Sequence, residues 1–269
     1  MFTSPSQVIF TIFGINIYYY GVIMALAIAI GTLVSDFIGV KNFSLKKDTI
    51  IDALPYLIIF GLLGARIYYC IMDYDFYLRF PTEIPAFRHG GISIHGAILG
   101  GLIGLIVFAK LRKISVKKLC DVCAIGLALG QSIGRWGNFF NSEAYGFPTD
   151  VPWKLYIAPQ YRTIPYLDNS YFHPAFLYES ILDFIIFLIL LFALKKQFNK
   201  KEGNLALLYL IMYSVIRILV EYYRIDSVRY ICSVPVAILM STGIIILSTI
   251  LLIYNNRKIP DKQNNTTEN

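Results

Sequence analysis

Charged residues are what this chain has least of. They make up 15% of its 269 residues, where a water-facing domain of that size carries roughly 25%. The shortage excludes an ordinary soluble protein, because 57% of the residues are hydrophobic and most of the surface cannot meet water. Cysteine is scarce as well. Cys70, Cys120, Cys123 and Cys232 sit in or beside apolar segments. The Cys120/Cys123 pair has the spacing of half a zinc site, but no second pair and no nearby His accompany it, so no metal is expected. No basic region precedes the first apolar run, which is expected to stay as a membrane anchor. No internal repeat is evident. The net charge of +7 does not imply nucleic acid, because the Lys and Arg residues fall mainly in short loops between apolar runs.

What is present is a series of long apolar runs. A spanning helix needs about 20 mostly apolar residues, and seven stretches qualify: 18–40, 49–72, 92–109, 119–140, 174–194, 204–223 and 233–254. The 20 Tyr and 19 Phe suit helix ends lying in an interfacial belt. Lys and Arg alternate in density from loop to loop. Segments 41–48, 110–118, 195–202 and 255–269 hold 15 of them, whereas the intervening segments hold six and the spans three. The positive-inside rule then places the N-terminus outside and the C-terminus in the cytoplasm. The expected fold is an all-α polytopic membrane protein of about seven transmembrane helices, one membrane domain over 1–254. Outer segments 73–91 and 141–173 are rich in Pro, Gly and Tyr and are expected to form a small extracytoplasmic cap. Residues 255–269 read as a polar, disordered cytoplasmic tail.

Ionisable groups inside spans are costly and mark function by default. At 1.5 Å per residue, Arg66 lies about 25 Å up the second span. Arg135 and Arg217 are also in the outer part of their spans, and Tyr20, His95 and His173 lie near outer span ends. Glu179 is about a turn and a half below His173, with Asp183 deeper. Asp36, Asp52 and Asp121 sit at the inner edge and read as ordinary helix-end residues. Tyr213, Arg217, Glu221 and Arg224 step by four, four and three, so they form one helical stripe on which Arg217 and Glu221 can pair. Arg135 and Asn138 share a face, with Gly134 and Gly137 leaving room beside them. Gly96, Gly100, Gly101 and Gly104 follow His95, and their simpler reading is as packing devices.

Three guanidinium groups in one layer suit a phosphate-bearing ligand, since Arg offers a planar fork of donors. Imidazole is poised to take a proton near neutral pH, and nearby carboxylates can orient the Arg side chains or act as bases. The residues therefore point to an enzyme acting on an anionic phospholipid that enters sideways from the bilayer. An anion transporter would also use intramembrane Arg. Against it, the inner half has no matching polar file, and no pair of broken helices repeats in inverted order. A purely structural membrane protein leaves the charge cluster unexplained.

The run Gly134-Arg135-Trp136-Gly137-Asn138-Phe139-Phe140-Asn141-Ser142-Glu143-Ala144-Tyr145-Gly146 fits the pattern G-R-x-G-N-F-x-N-x-E-x-x-G. It resembles the signature of bacterial prolipoprotein diacylglyceryl transferases. Tyr20-Gly21, Gly64-Ala65-Arg66, the run from Gly90 to Gly96, His173-Pro174, Leu177-Tyr178-Glu179 and the run from Arg217 to Arg224 agree in order, so the resemblance covers essentially the whole chain. Ile98 and Tyr222 depart from the common Leu and Phe by conservative exchanges.

The resemblance implies transfer of the diacylglyceryl group of phosphatidylglycerol to the thiol of a lipobox cysteine in a prolipoprotein signal peptide. Glycerol 1-phosphate leaves, no metal or organic cofactor takes part, and the reaction runs at the outer face of the bacterial cytoplasmic membrane. Arg135 and Arg217 would neutralise the phosphate as the carbon–oxygen bond breaks. The thiol, with a reference pKa of about 8.5, needs a base or a positive field. His95 is the first candidate base, Glu143 or Glu221 the alternative, and the field alone a third. Tyr20, Arg66, Asn138, Asn141, Tyr213, Glu221 and Arg224 are expected to bind substrate, with Gly146 keeping the turn after the motif tight.

Overall fold

The computed structural model describes residues 2–225, 230–231 and 233–257. Arg229, Cys232 and residues 258–269 of the expected tail lie outside the described residues. The chain is mostly helical. Its helices are α1 (Tyr19–Phe43), α2 (Thr49–Met72), α3 (Tyr74–Arg79), α4 (Ile94–Arg112), α5 (Val116–Asn141), α6 (Ala175–Lys195), α7 (Asn204–Glu221) and α8 (Val236–Arg257). All but the short α3 coincide within a few residues with the apolar runs read from the sequence. Among the described residues, six of them (α1, α2, α4, α6, α7 and α8) are long and apolar enough to cross a membrane. Their outward faces carry apolar side chains such as Leu33, Phe37, Ile98, Phe192 and Ile246, which water would not tolerate in such density. The protein is a multi-pass membrane protein.

The remaining long helix, α5, differs in composition for a physical reason. It carries Lys117, Lys118, Asp121 and Arg135, yet Leu119, Asp121, Val122, Ile125 and Ala128 are fully buried. A helix wrapped in protein need not be apolar on every face, so its composition reflects its neighbours more than lipid.

The all-α expectation needs correcting on one point, because the described residues include seven short strands. β1 (Phe2–Thr3), β4 (Leu155–Tyr156) and β5 (Tyr171–Phe172) form one sheet, with β1 parallel to β4 and β5 antiparallel to it. β2 (Val8–Ile12) and β3 (Ile15–Tyr18) form a hairpin, as do β6 (Tyr230–Ile231) and β7 (Val234–Pro235). In the first hairpin, Phe13 and Gly14 have φ of 49° and 78°, the two positive values a tight two-residue turn requires.

By contacts, the chain divides into two compact units with boundaries inside α1 and α5. One unit comprises residues 29–126. Here α2 and α4 pack at close range because glycine lines the seam: a Cβ on Gly104 would lie 2.6 Å from the Tyr56 carbonyl oxygen, and one on Gly64 would lie 2.8 Å from Gly100 Cα. The packing role read for Gly96, Gly100 and Gly104 is the observed one, whereas a Cβ on Gly101 would meet nothing. Asp36 accepts hydrogen bonds from the backbone N–H groups of Asp48 and Ile50, both at 3.0 Å. It thereby satisfies donors that open α2, as a helix-end residue should. Asp52 pairs with Arg112 at 2.8 Å.

The other unit holds the residues up to Ile28 and those from Leu127 onward. Its helices α6, α7 and α8 pack in sequence. Residues 145–172 fold over a core of their own, built from Phe139, Tyr145, Leu155, Ile157, Phe172 and Phe176. Tyr145 Oη donates to the Tyr161 carbonyl and accepts from Thr163 N–H. Arg162 donates to the carbonyls of Ile157 and Leu167. The segment expected to form a cap is thus an ordered one.

Candidate functional site

The motif run begins in the last turns of α5 and continues into a tight turn. Ser142 and Ala144 both have positive φ, 53° and 54°, a conformation that costs a non-glycine residue of order 1 kcal/mol. Between them, Glu143 folds back onto α5: its N–H donates to the Asn138 carbonyl at 3.0 Å. Its Oε1 accepts from Asn138 Nδ2 at 2.8 Å and from Asn141 Nδ2 at 3.4 Å. Glu143 and Asn141 line a cavity of about 470 Å³ together with Gln7, Tyr18, Tyr20 and Gly21. Tyr20 packs on α5 where a side chain is missing, since a Cβ on Gly137 would lie 2.9 Å from its ring. Its hydroxyl is within electrostatic reach of both Glu143 and Arg135.

Arg135 faces α6. Its Nε lies 2.9 Å from Glu179 Oε2 and 3.8 Å from Asp183 Oδ2. Glu179 also lies 3.6 Å from Arg224 Nη1 through its other oxygen. Both acids are buried, and the Asp183 oxygens have no hydrogen-bond partner among the described residues. A reciprocal pair fixes this register: Ser132 Oγ donates to the Ser180 carbonyl at 2.8 Å and Ser180 Oγ to the Ser132 carbonyl at 2.7 Å. On α7, Arg217 Nη1 lies 2.7 Å from Glu221 Oε2, the pairing expected from their spacing. Tyr213 is in electrostatic reach of Arg135 and Arg217.

Gly146 closes the motif for a steric reason. Its N–H donates to the His173 carbonyl at 2.8 Å, and it bridges to Arg224. A Cβ there would lie 2.5 Å from the Tyr223 carbonyl oxygen and 2.9 Å from His173 Cβ. His173 Nδ1 lies 3.0 Å from Tyr178 Oη, which accepts from Trp153 Nε1 at 2.8 Å. Tyr178 thus links Trp153 to the His173 ring through one hydroxyl. Burial also holds the His173 pKa below its usual 6.5.

The expected site residues therefore fall into two groups. Tyr20, Arg135, Asn138, Asn141, Glu143, Gly146, Tyr213, Arg217, Glu221 and Arg224 all belong to the unit that holds the cavity. Arg66 and His95 belong to the unit of residues 29–126. Arg66 is buried at 3% exposure, and all five of its N–H donors are used. Nε donates to the Ile84 carbonyl, Nη1 to those of Gly90 and Gly91, and Nη2 to those of Glu83 and Ala86. Its guanidinium carbon also lies over the Tyr77 and Phe87 rings, at 5.2 and 5.6 Å. Nothing is left on it for a phosphate, and its geometry assigns it to holding the 83–91 loop. His95 is exposed. Within its own unit, its ring packs tilted against Tyr68 at 6.0 Å.

Gln7 and Tyr18 line the cavity although no sequence signal singles them out. Glu179 and Asp183 stand out in sequence as acids inside a span, but their grip on Arg135 needs the fold. Among the described residues, no group of His, Cys, Asp and Glu could hold a metal.

Residues 7–254 match the family described as Prolipoprotein diacylglyceryl transferase. Several relatives bear the name phosphatidylglycerol–prolipoprotein diacylglyceryl transferase. The one from Acaryochloris marina is 40% identical over 263 residues, 97% of this chain and 96% of the relative. That from Synechococcus elongatus is 40% identical over 267 residues, 97% and 92% of the two chains. That from Finegoldia magna is 39% identical over 253 residues, 94% and 97% of the two chains.

Proposed function

The chain belongs to the prolipoprotein diacylglyceryl transferase family, and from that premise we propose that it moves the diacylglyceryl group of phosphatidylglycerol onto the lipobox cysteine of prolipoproteins. It is a transferase. The sulfur forms a bond to the glyceryl carbon, the carbon–oxygen bond to phosphate breaks, and glycerol 1-phosphate departs with the electron pair. The thiol proton passes to a base. The product is the thioether-linked precursor made in lipoprotein maturation.

The observation that carries the assignment of roles is the unspent donor capacity of Arg135. Its contacts to Glu179 and Asp183 run through Nε, and its two Nη groups make no hydrogen bond among the described residues. Arg217 likewise makes an ion pair without a directed hydrogen bond from Nη1. Two such guanidinium groups, held in place by buried acids, can accept a phosphodiester without reorganising. They bind it more strongly as its charge grows towards that of a phosphomonoester, and stabilisation of that kind lowers a barrier. Glu143 is the base this geometry favours over His95. Two asparagine amides hold its carboxylate at the wall of a cavity, and the strained turn keeps it there. Asn138, Asn141, Tyr20 and Tyr213 supply hydrogen bonds to the glycerol head, whereas Arg66 shapes the loop that precedes His95.

The location follows from the charge pattern. Lys- and Arg-rich loops place the C-terminus in the cytoplasm, α5 is the seventh span, and the site lies towards the outer face of the bacterial cytoplasmic membrane. The cap of residues 141–173 is the side from which a signal peptide arrives. The direct test supplies the purified protein in detergent with phosphatidylglycerol and a lipobox peptide and measures released glycerol phosphate. Release that depends on both the peptide cysteine and Arg135 is expected. No release from a folded protein would overturn the proposal.

A further inference from the structure

The β2–β3 hairpin is built in a way that no contact among the described residues explains. Its register pairs Phe10 with Ile17 and Ile12 with Ile15. Because side chains alternate along a strand, these four share one face. The opposite face carries Thr11 and Asn16, joined by a 2.7 Å hydrogen bond. At the tip stands Phe13, fully exposed and with φ of 49°. A bulky side chain in that conformation is uncommon, and here no packing offsets the strain. Phe10, Ile12, Ile15 and Tyr18 are about half exposed or more.

Two further facts say what covers this face. The first charged side chain in the chain is Asp36, so the hairpin and the first part of α1 carry none. β3 ends at Tyr18 and α1, a membrane-length apolar helix, begins at Tyr19 with no linker. The hairpin therefore cannot leave the bilayer surface at which α1 starts. Its base is anchored by Tyr19 N–H donating to the Gln7 carbonyl at 3.0 Å and by Gln7 Nε2 donating to the Asn141 carbonyl at 3.4 Å. Gln7 and Tyr18 at that base line the cavity that holds Glu143.

We infer that the β2–β3 hairpin is a lipid-interface element, its Phe10, Ile12, Phe13, Ile15 and Ile17 face seated in the leaflet at which α1 begins, so that phospholipid headgroups are presented at the mouth of the Tyr20–Glu143 cavity. The seating rests on the hairpin alone; the presentation of headgroups rests also on the transferase reading above. In the leaflet, apolar and aromatic side chains at the interface stabilise the arrangement, as they do for interfacial anchors. The polar Thr11–Asn16 face and the strand edges remain with headgroups and water, which satisfy the backbone groups that hydrocarbon could not.

The test places Phe13→Trp in the full chain, reconstituted in phosphatidylglycerol-containing nanodiscs, and takes the difference in emission from the unsubstituted protein. Emission of the added tryptophan should be blue-shifted, quenched by lipids brominated on the acyl chain near the glycerol end, and protected from aqueous iodide. Iodide quenching without bromolipid quenching would overturn the inference. So would protection from both quenchers, which would mean a second copy covers the hairpin. Bromolipid quenching lost when lipobox peptide is added would overturn it in favour of the peptide. A second variant, Phe13→Asp with Ile15→Asp, should raise KM for bilayer phosphatidylglycerol by roughly tenfold with kcat and thermal midpoint retained. An unchanged KM would refute the presentation of headgroups. A quenched hairpin in a protein without transferase activity would instead refute the function reading and leave the seating intact.

Discussion

Arg135 Nε lies 2.9 Å from Glu179 Oε2, an ion pair without a directed hydrogen bond, so the guanidinium keeps its donors among the described residues. Arg66 shows the opposite use of the same side chain, with all five donors taken by the carbonyls of residues 83–91. Both are arginines inside long helices, and both look alike to any argument from cost of burial. Donor accounting separates them. An arginine whose donors are spent holds backbone, whereas one whose donors remain can hold an anion.

Arg135→Gln should lower kcat by about 10²–10³, the usual loss when one charge-stabilising donor is removed from a transition state. Arg135→Lys should recover little of it, because a point charge does not replace the planar fork. Steady-state assays with phosphatidylglycerol and a lipobox peptide measure both. The thermal midpoint should stay near that of the parent, and a kcat within threefold of the parent would exclude the assigned role.

Arg66→Ala should behave in the reverse way. It strips the 83–91 loop of its only buried cation among the described residues, and removing one partner from a buried charged network costs about 3–5 kcal/mol. A large fall in thermal midpoint in detergent, or faster proteolysis within residues 83–91, is the expected outcome. A stable protein whose KM alone has risen would return Arg66 to the substrate-binding role expected from sequence.

The difference between these two arginines also marks where sequence reasoning stops. The apolar runs predicted the long helices well because a bilayer demands length and composition, and both are written locally. The Arg217–Glu221 pair was legible because four residues make one helical turn. The β2–β3 hairpin was not, since Val8–Ile12 and Ile15–Tyr18 run straight into an apolar span that dominates any window containing them. The clamp on Arg66 was not legible either. Its partners are main-chain carbonyls, which every residue possesses and no sequence signal distinguishes. Glu143 was visible as a motif residue, but the two amide donors and the cavity wall on which its proposed role as base rests are supplied only by the fold.

Glu143→Gln and His95→Gln test that last point together. Loss of a general base typically costs 10²–10⁴ in rate, so Glu143→Gln should fall in that range near neutral pH. His95→Gln should retain turnover within about tenfold of the parent, a bound well short of that loss. If alkaline pH restores Glu143→Gln by ionising the thiol directly, the base assignment gains a signature that a structural role would lack. The opposite ranking of the two variants would return the role to His95.

Gly146→Ala should be disabling through space alone. The added methyl would sit 2.5 Å from the Tyr223 carbonyl oxygen and 2.9 Å from His173 Cβ, and neither can yield as the far end of a flexible side chain would. Overpacking of this kind costs about 1–3 kcal/mol. The same shift would displace the strand-like bridge to Arg224 and, through it, the contact to Glu179. Activity should fall more than stability, read as kcat against thermal midpoint.

His173 should give the folded protein an acid-side instability. Its Nδ1 faces Tyr178 Oη at 3.0 Å and its ring is edge-on to Tyr223. Burial lowers its pKa below the usual 6.5. Above 6.5 neither the folded nor the unfolded chain binds the proton, so stability does not depend on pH through this residue. As pH falls below 6.5 the unfolded chain takes up a proton that the folded one refuses, and by linkage stability declines until the folded pKa is reached. Thermal midpoints of the parent should therefore drop between pH 7.5 and pH 5.5, and His173→Gln should flatten that part of the profile. The glutamine can still hydrogen-bond to Tyr178, which keeps the hydrogen-bond chain to Trp153 intact while removing the titration. An identical pH slope in parent and variant would assign the acid sensitivity elsewhere.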